Sequence, residues 1–143
     1  MKYEPKFVWE DGIASCILTD GINIFCGLAT CHPDDADMMS EKTGYEIAYR
    51  RAKIESFKYY RNTLKEQLKA LNQLYYSMNQ SQKFNPKSYE NKMLQRQIQM
   101  IKLDLATAKE MLVGEQQRLR EYISEKDKFY KAVRRNRKQA KDQ

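Results

Sequence analysis

Apolar and polar positions change rhythm once along this chain. Up to Thr30, β-branched and aromatic residues come in short runs that alternate; from Ile47 onward the apolar residues recur at spacings of three and four. The first rhythm predicts strands over residues 7–9, 13–18 and 22–30, joined at Asp11-Gly12 and Asp20-Gly21, where the positive φ of a type I′ turn suits glycine. An antiparallel meander follows. In its last strand Ile22, Ile24, Cys26 and Leu28 oppose Asn23, Phe25, Gly27 and Ala29, apolar on nearly both sides, which predicts that both faces of the sheet are covered.

The second rhythm is heptad. Ile47, Ile54, Leu68 and Tyr75 alternate with Phe57, Leu64, Leu71 and Met78, and after a polar break (NQSQKFN) Ile98, Leu105, Leu112 and Leu119 alternate with Leu94, Ile101, Ala108 and Tyr122. The break predicts a loop, with Asn85 capping the second helix and Pro86 in its first turn, where a missing N–H costs nothing. Two helices joined this way fold back antiparallel, and facing residues then have numbers summing to about 165. That register sets Leu71 by Leu94, Leu68 by Ile98, Leu64 by Ile101 and Ile54 by Leu112. It also predicts two ion pairs across the seam, Arg50 with Glu115 and Arg61 with Asp104, which fix register more than they stabilise.

Between the two rhythms lies the stretch Gly27 to Ala52. His32-Pro33 cannot continue a helix, and Thr43-Gly44-Tyr45-Glu46 fits a capping box in which the Thr43 hydroxyl accepts from the Glu46 amide. The predicted fold class is α+β, a small N-terminal antiparallel β-meander followed by a long antiparallel two-helix coiled-coil hairpin. It forms one domain: meander and acidic junction loop over 1–39, first helix over 40–79, loop over 80–85, second helix over 86–135 and a solvated basic tail over 136–143.

Composition changes the picture in two ways. With 31% of its 143 residues charged, the chain cannot bury a large core alone, so partner chains are expected. The net charge of +7 is also uneven: residues 1–40 carry Lys2 and Lys6 against seven acids, a net −5, which leaves +12 on the helical part. A positive helical field favours an anionic partner. No run of 18 apolar residues and no secretory leader pattern is present, and three cysteines fit a reducing compartment, so the expected location is cytoplasmic.

Candidate chemistry is sparse. Cys26, Cys31 and His32, with Asp34 or Asp35, contain metal-binding residue types, but C-x4-C-H matches no standard zinc spacing, and buried thiols with a loop histidine explain them as well. Asp34, Asp35 and Asp37 could hold a divalent cation, or simply favour the positive end of the helix that follows. Neither is taken as a metal site, and no cofactor is expected. The basic run from Lys126 to Lys141 could be a nucleic-acid arm or a solvated helix face. The lone histidine has no nucleophile context and there is no glycine-rich phosphate loop, so a binding protein rather than an enzyme is expected. Guanidinium forks suit phosphate and aromatic rings suit a base. On that chemistry, and on position near helix ends and seams, the candidate ligand-binding residues are Trp9, Arg50, Arg51, Phe84, Asn85, Tyr89, Asn91, Arg118 and Arg120.

The small N-terminal sheet, the G-x-A-x-C-H-P-D-D segment and the S-E-x-T-G-x-x-I-A-x-x-R-A entry into a long helix resemble the first-described Thoeris anti-defence family of small phage proteins. Its motif is confined to Gly27 to Ala52. The resemblance implies a homo-oligomer, a dimer or higher such as a hexamer, that works in the host cytoplasm as a sponge, trapping a cyclic ADP-ribose signal intact at subunit interfaces, in some members with cyclic trinucleotides at separate sites. It implies arginines, a base-stacking aromatic and an asparagine in the pocket. Two other readings fit the residues: a nucleic-acid-binding basic coiled coil, and a structural adaptor whose hairpin pairs with another protein.

Overall fold

The computed structural model describes residues 4–30, 40–80 and 85–142. Three strands, β1 (Lys6–Glu10), β2 (Ile13–Thr19) and β3 (Ile24–Thr30), precede two long helices, α1 (Glu41–Asn79) and α2 (Tyr89–Asp142). The fold is α+β, with an antiparallel sheet in the order β1-β2-β3. It divides into two compact units, one formed by Met1–Ser56 with Gly114–Gln143 and the other by Phe57–Val113. No helix among the described residues is long and apolar enough to cross a membrane.

In the first unit the turn between β1 and β2 is set by Asp11 (φ 52°) and Gly12 (φ 75°), the two positive φ values of a type I′ turn. The second turn differs from the sequence expectation. Instead of two residues it spans Asp20 to Asn23, closed by Thr19 opposite Ile24. The Asp20 carboxylate accepts from the amides of Ile22 (2.9 Å) and Asn23 (2.6 Å) and from the Asn23 side chain (3.2 Å). A side chain that satisfies two backbone donors makes the wider loop the better turn, and Ile22 leaves the strand for solvent.

One face of this sheet is a core. Ala14, Cys16, Leu18, Phe25 and Ala29 are buried with Ala48 and Ala52 of α1, and Trp9, Tyr45, Ile47 and Tyr49 pack around them. The residues are small because the backbones are close: a Cβ on Gly27 would sit 2.5 Å from the Ala52 amide nitrogen and closer still to the Ala48 carbonyl oxygen. The other face is bare among the described residues. Ile24 (68% exposed) and Leu28 (57%) stand in solvent, so no described residue of this chain supplies the cover expected on that side.

The start of α1 is also capped differently from the predicted box. Ser40 Oγ accepts from the Thr43 amide (3.1 Å) and the Ser40 carbonyl accepts from Gly44 (3.1 Å), while the Glu46 carboxylate accepts from Arg50. Ser40, one turn earlier, is the cap because it lies just outside the helix, where a hydroxyl reaches the orphan amides.

The second unit is a helical hairpin. Leu64, Ile101, Leu105 and Ala108 form its core with Leu68 and Leu71 against them, and Gln95 on α2 donates to the Tyr75 hydroxyl on α1 (3.4 Å). These contacts fit the sum of about 165 to within a helical turn. The predicted Arg61–Asp104 pair is absent: Arg61 Nε and Nη2 donate to Asn62 Oδ1 (3.3 and 3.2 Å) and Asp104 is exposed. In α2 the buried positions run Ile98, Ile101, Leu105, Ala108, and Asp104 falls one residue outside that stripe.

Asn85 and Pro86 do not begin the helix. They form a turn in which Asn85 accepts from Lys87 (3.0 Å) and Ser88 (3.1 Å), and Ser88 caps α2 by accepting from the Asn91 amide (3.2 Å). At its far end α2 runs to Asp142 rather than stopping near 135. After Gly114 it meets neither glycine nor proline, and Lys, Arg, Gln and Ala propagate a helix even where nothing packs on it.

Candidate functional site

The richest cluster of charge and aromatics in the first unit is built from two helical stripes. Glu46, Arg50 and Lys53 follow one face of α1 at spacings of four and three, and Glu115, Arg118, Tyr122 and Lys126 follow one face of α2. At its centre is Glu115, 5% exposed. Its Oε1 lies 3.2 Å from Lys53 Nζ and 3.3 Å from Arg118 Nη2, and its Oε2 lies 3.7 Å from Arg50 Nη1. Arg50 also donates from Nε to Glu46 Oε1 at 2.9 Å.

A carboxylate taken out of water costs several kcal/mol unless cations meet it, which explains why three converge on this one. Four cations (Arg50, Lys53, Arg118, Lys126) share the cluster with two carboxylates, so it keeps an excess of two positive charges. Tyr122 completes it: the Arg50 guanidinium carbon is 5.7 Å from its ring centroid and Lys126 Nζ is 5.5 Å from it. Lys53 stands 6.0 Å from the Tyr49 ring. Contacts of this kind hold the cations in place beside the carboxylates they pair with, within reach of a phosphate. Arg118 has a side chain 58% exposed, so an anion can reach it from solvent.

The second unit carries a different basic surface. A groove of about 660 Å³ is bordered by Tyr75 and Asn72 of α1 and by Lys92, Gln95, Arg96, Gln99 and Lys102 of α2, with no carboxylate among its lining residues. Its volume is in the range that holds a small ligand. It is shallower in chemistry than the Glu115 cluster, because its cations are exposed and nothing buried fixes them.

The structure brings together two of the nine predicted ligand residues, Arg50 and Arg118, through Glu115. Trp9 instead packs edge-on against Tyr45 (6.3 Å) in the sheet core, and Arg51 Nη1 donates to the Leu28 carbonyl (2.6 Å) at the rim of β3. Arg120 is exposed and donates to Gln117 (2.8 Å). Tyr89 is exposed at the start of α2, and Asn85 serves the preceding turn. Asn91 is fully buried: its Nδ2 donates to the Pro86 carbonyl (2.8 Å) and its Oδ1 has no hydrogen-bond partner among the described residues. Phe84 lies outside the described residues, as do Cys31, His32, Asp34, Asp35 and Asp37.

Sequence reasoning missed Lys53, Tyr122 and Lys126. Tyr122 occupies a predicted seam position, and Lys126 follows it by four, so the cation over the ring was within reach of a helical-wheel argument. Lys53 carried no signal, because a lysine beside a heptad stripe is ordinarily solvated. Compared with known proteins, the chain matches no family model, no curated protein and no solved structure.

Proposed function

We propose that this protein binds and sequesters a phosphate-bearing signalling nucleotide of the cyclic ADP-ribose type and leaves it uncleaved, as a homo-oligomer in the host cytoplasm. One observation carries the reading: four cations, three of them set over tyrosine faces, stand around a buried carboxylate and outnumber the two carboxylates they share the cluster with. Two negative phosphates match that excess, and the Tyr122 ring supplies a face for a base once the cations turn toward the phosphates. The resemblance at Gly27 to Ala52 narrows the ligand class to a cyclic ADP-ribose. Binding alone suffices for the biology, since sites in excess of the signal and a Kd below the effector's leave the effector empty by mass action.

Isothermal titration with a cyclic ADP-ribose isomer tests this, with linear ADP-ribose and a cyclic trinucleotide as competitors. Saturable binding that weakens at least tenfold in Arg118→Gln and Lys126→Gln, with mass spectrometry recovering the unaltered nucleotide after denaturation, is the expected result. No heat and no shift in melting temperature at millimolar ligand ends the reading, and a cleaved product makes the protein an enzyme.

A second reading is favoured by α2 staying helical to Asp142 with eight basic residues against two acidic over 126–142. A rigid cationic rod binds nucleic acid with affinity that falls steeply with salt. Duplex binding unaffected by truncation after Ile123 removes it.

A further inference from the structure

We infer that the bare face of the β-sheet is the docking surface for a second copy of this chain, stacked face to face about a two-fold axis through the row Val8–Ser15–Leu28. Along the strands the residues that share this face are Lys6, Val8 and Glu10 of β1, Ile13, Ser15, Ile17 and Thr19 of β2, and Ile24, Cys26, Leu28 and Thr30 of β3. Val8 is 55% exposed, Ile13 and Ile17 each 41%. With Ile24 and Leu28 they leave about 500 Å² of apolar side chain in water, as large as the biggest patch on a typical monomer and most of the roughly 800 Å² per partner that a stable interface buries. The centre of the face is free of charge, and its two charged residues, Lys6 and Glu10, stand at the ends of the edge strand; neither has an ion-pair partner among the described residues. Charge-depleted centre and charged rim is the composition of an interface.

The strand register says why the occupant is another copy. Four cross-strand rows follow one another on the face: Glu10–Ile13–Thr30, then Val8–Ser15–Leu28, then Lys6–Ile17–Cys26, and last Thr19–Ile24. A two-fold axis lying between two stacked sheets, along the second row, places that row's two neighbours on each other. Val8 then meets Val8 of the second copy, Leu28 meets Leu28, Ile13 meets Ile17, and Glu10 meets Lys6. Within the first three rows apolar falls on apolar, Thr30 on Cys26 and each charge on its opposite, while Ile24 of the row beyond lies outside the match; this is the self-complementarity a two-fold interface requires. Packed sheets sit about 10 Å apart with side chains interdigitating, and their twist rotates the match by about 30° without moving any residue to another row. An unrelated partner would satisfy the apolar residues but has no reason to carry the reciprocal charge order.

This inference locates the self-association that the sequestration reading assumes, yet it stands on the sheet alone. Loss of nucleotide binding with assembly intact would end that reading and leave this one. Analytical ultracentrifugation and native mass spectrometry of the full chain from about 1 to 100 μM read the assembly, with Trp9 fluorescence and circular dichroism confirming that each variant is folded. Wild type forms a dimer or a multiple of one. Ile17→Glu puts a carboxylate into the apolar centre and raises the dissociation constant at least ~30-fold. Lys6→Glu sets two carboxylates against each other and weakens assembly severalfold; adding Glu10→Lys restores it, because the swapped charges still meet across the axis. A monomeric wild type at 100 μM, an Ile17→Glu variant that assembles as before, or a charge swap that fails to rescue Lys6→Glu overturns the proposal, whatever other partner the face then takes.

Discussion

The sheet unit and the hairpin unit are held by opposite strategies. In the hairpin a repeated stripe of Leu64, Ile101, Leu105 and Ala108 buries large side chains at regular spacing, so any one position is supported by copies of itself a turn away. In the sheet unit Ala14, Ala29, Ala48, Ala52 and Gly27 bury almost nothing individually and instead let two backbones approach. A repeat tolerates a change of volume; a close approach does not. The contrast extends to charge, since among the described residues only the sheet unit encloses a carboxylate, Glu115, and surrounds it with cations.

The largest effect that would test this contrast is Gly27→Val. The new side chain starts against the Ala48 carbonyl and the Ala52 amide, which are helix backbone and cannot step aside. A cost of more than about 3 kcal/mol is expected, at or beyond the upper end of overpacking penalties. Trp9, the chain's one tryptophan, packs against this core, so its emission should shift to the red while ellipticity at 222 nm falls little. Equal loss of both signals would mean that the two units do not differ in this way. Leu64→Ala, at a position 5% exposed, is the matching change in the hairpin. About 2–3 kcal/mol is expected, the low end for a buried leucine because neighbours along the stripe can collapse inward, and denaturant midpoints should show it with Trp9 emission in the native baseline unchanged.

These two substitutions also show what the sequence could reveal. The hairpin was legible because its stabilising pattern is statistical: heptads announce themselves whatever the particular residues, and Leu64 by Ile101 followed from spacing alone. The first turn was legible for a similar reason, since Asp11-Gly12 between alternating runs permits little else. The bare sheet face was not. Ile24 and Leu28 look like core residues in one dimension, and exposure depends on what the rest of the chain brings to them. The Glu115 cluster was half legible. Register arithmetic brought Glu115 to Arg50, where the structure has them 3.7 Å apart, but the same arithmetic failed for Arg61 and Asp104, because a polar pair just off the apolar stripe gains little by meeting and each finds water or a neighbour instead. Caps moved by one turn for a comparable reason: several Ser, Thr and Asn candidates lie together, and hydroxyl geometry chooses among them.

Glu115→Gln ranks third in stability, and it separates a structural role of the cluster from a binding one. The carboxylate is buried but its partners are partly exposed, the Arg118 side chain by 58%, so their charges return to water on its loss. About 1–2 kcal/mol of destabilisation is expected, below the cost of stranding a fully buried charge. If the cluster receives phosphate, removal of its central anion raises the local excess from two to three positive charges and should tighten binding of inorganic pyrophosphate severalfold at low salt, despite the weaker fold. A cluster that only braces the helices would lose stability and gain nothing toward pyrophosphate.

The smallest effects come from two groups in the sheet that titrate away from their ordinary range, and their signs are opposite. Backbone amides of Asn23 and Ile22 hold the Asp20 carboxyl low, so the folded state favours its ionised form. Its contribution is present above the ordinary aspartate range and fades as pH falls through the lowered value; Asp20→Ala should therefore flatten the acid limb of the stability curve. Burial, reinforced by neighbouring Cys26, raises the Cys16 thiol from 9.0 to about 11, so the folded state favours the neutral form. That contribution is complete below pH 9 and is lost as pH rises toward about 11. Urea denaturation followed by Trp9 emission should show wild type losing more stability than Cys16→Ala across this window, while a thiol reagent at pH 8 reaches Cys16 only on unfolding. Labelling of Cys16 in the native protein would mean that the face between sheet and helix is open to solvent, and that the close approach at Gly27, on which the contrast between the units rests, is not maintained.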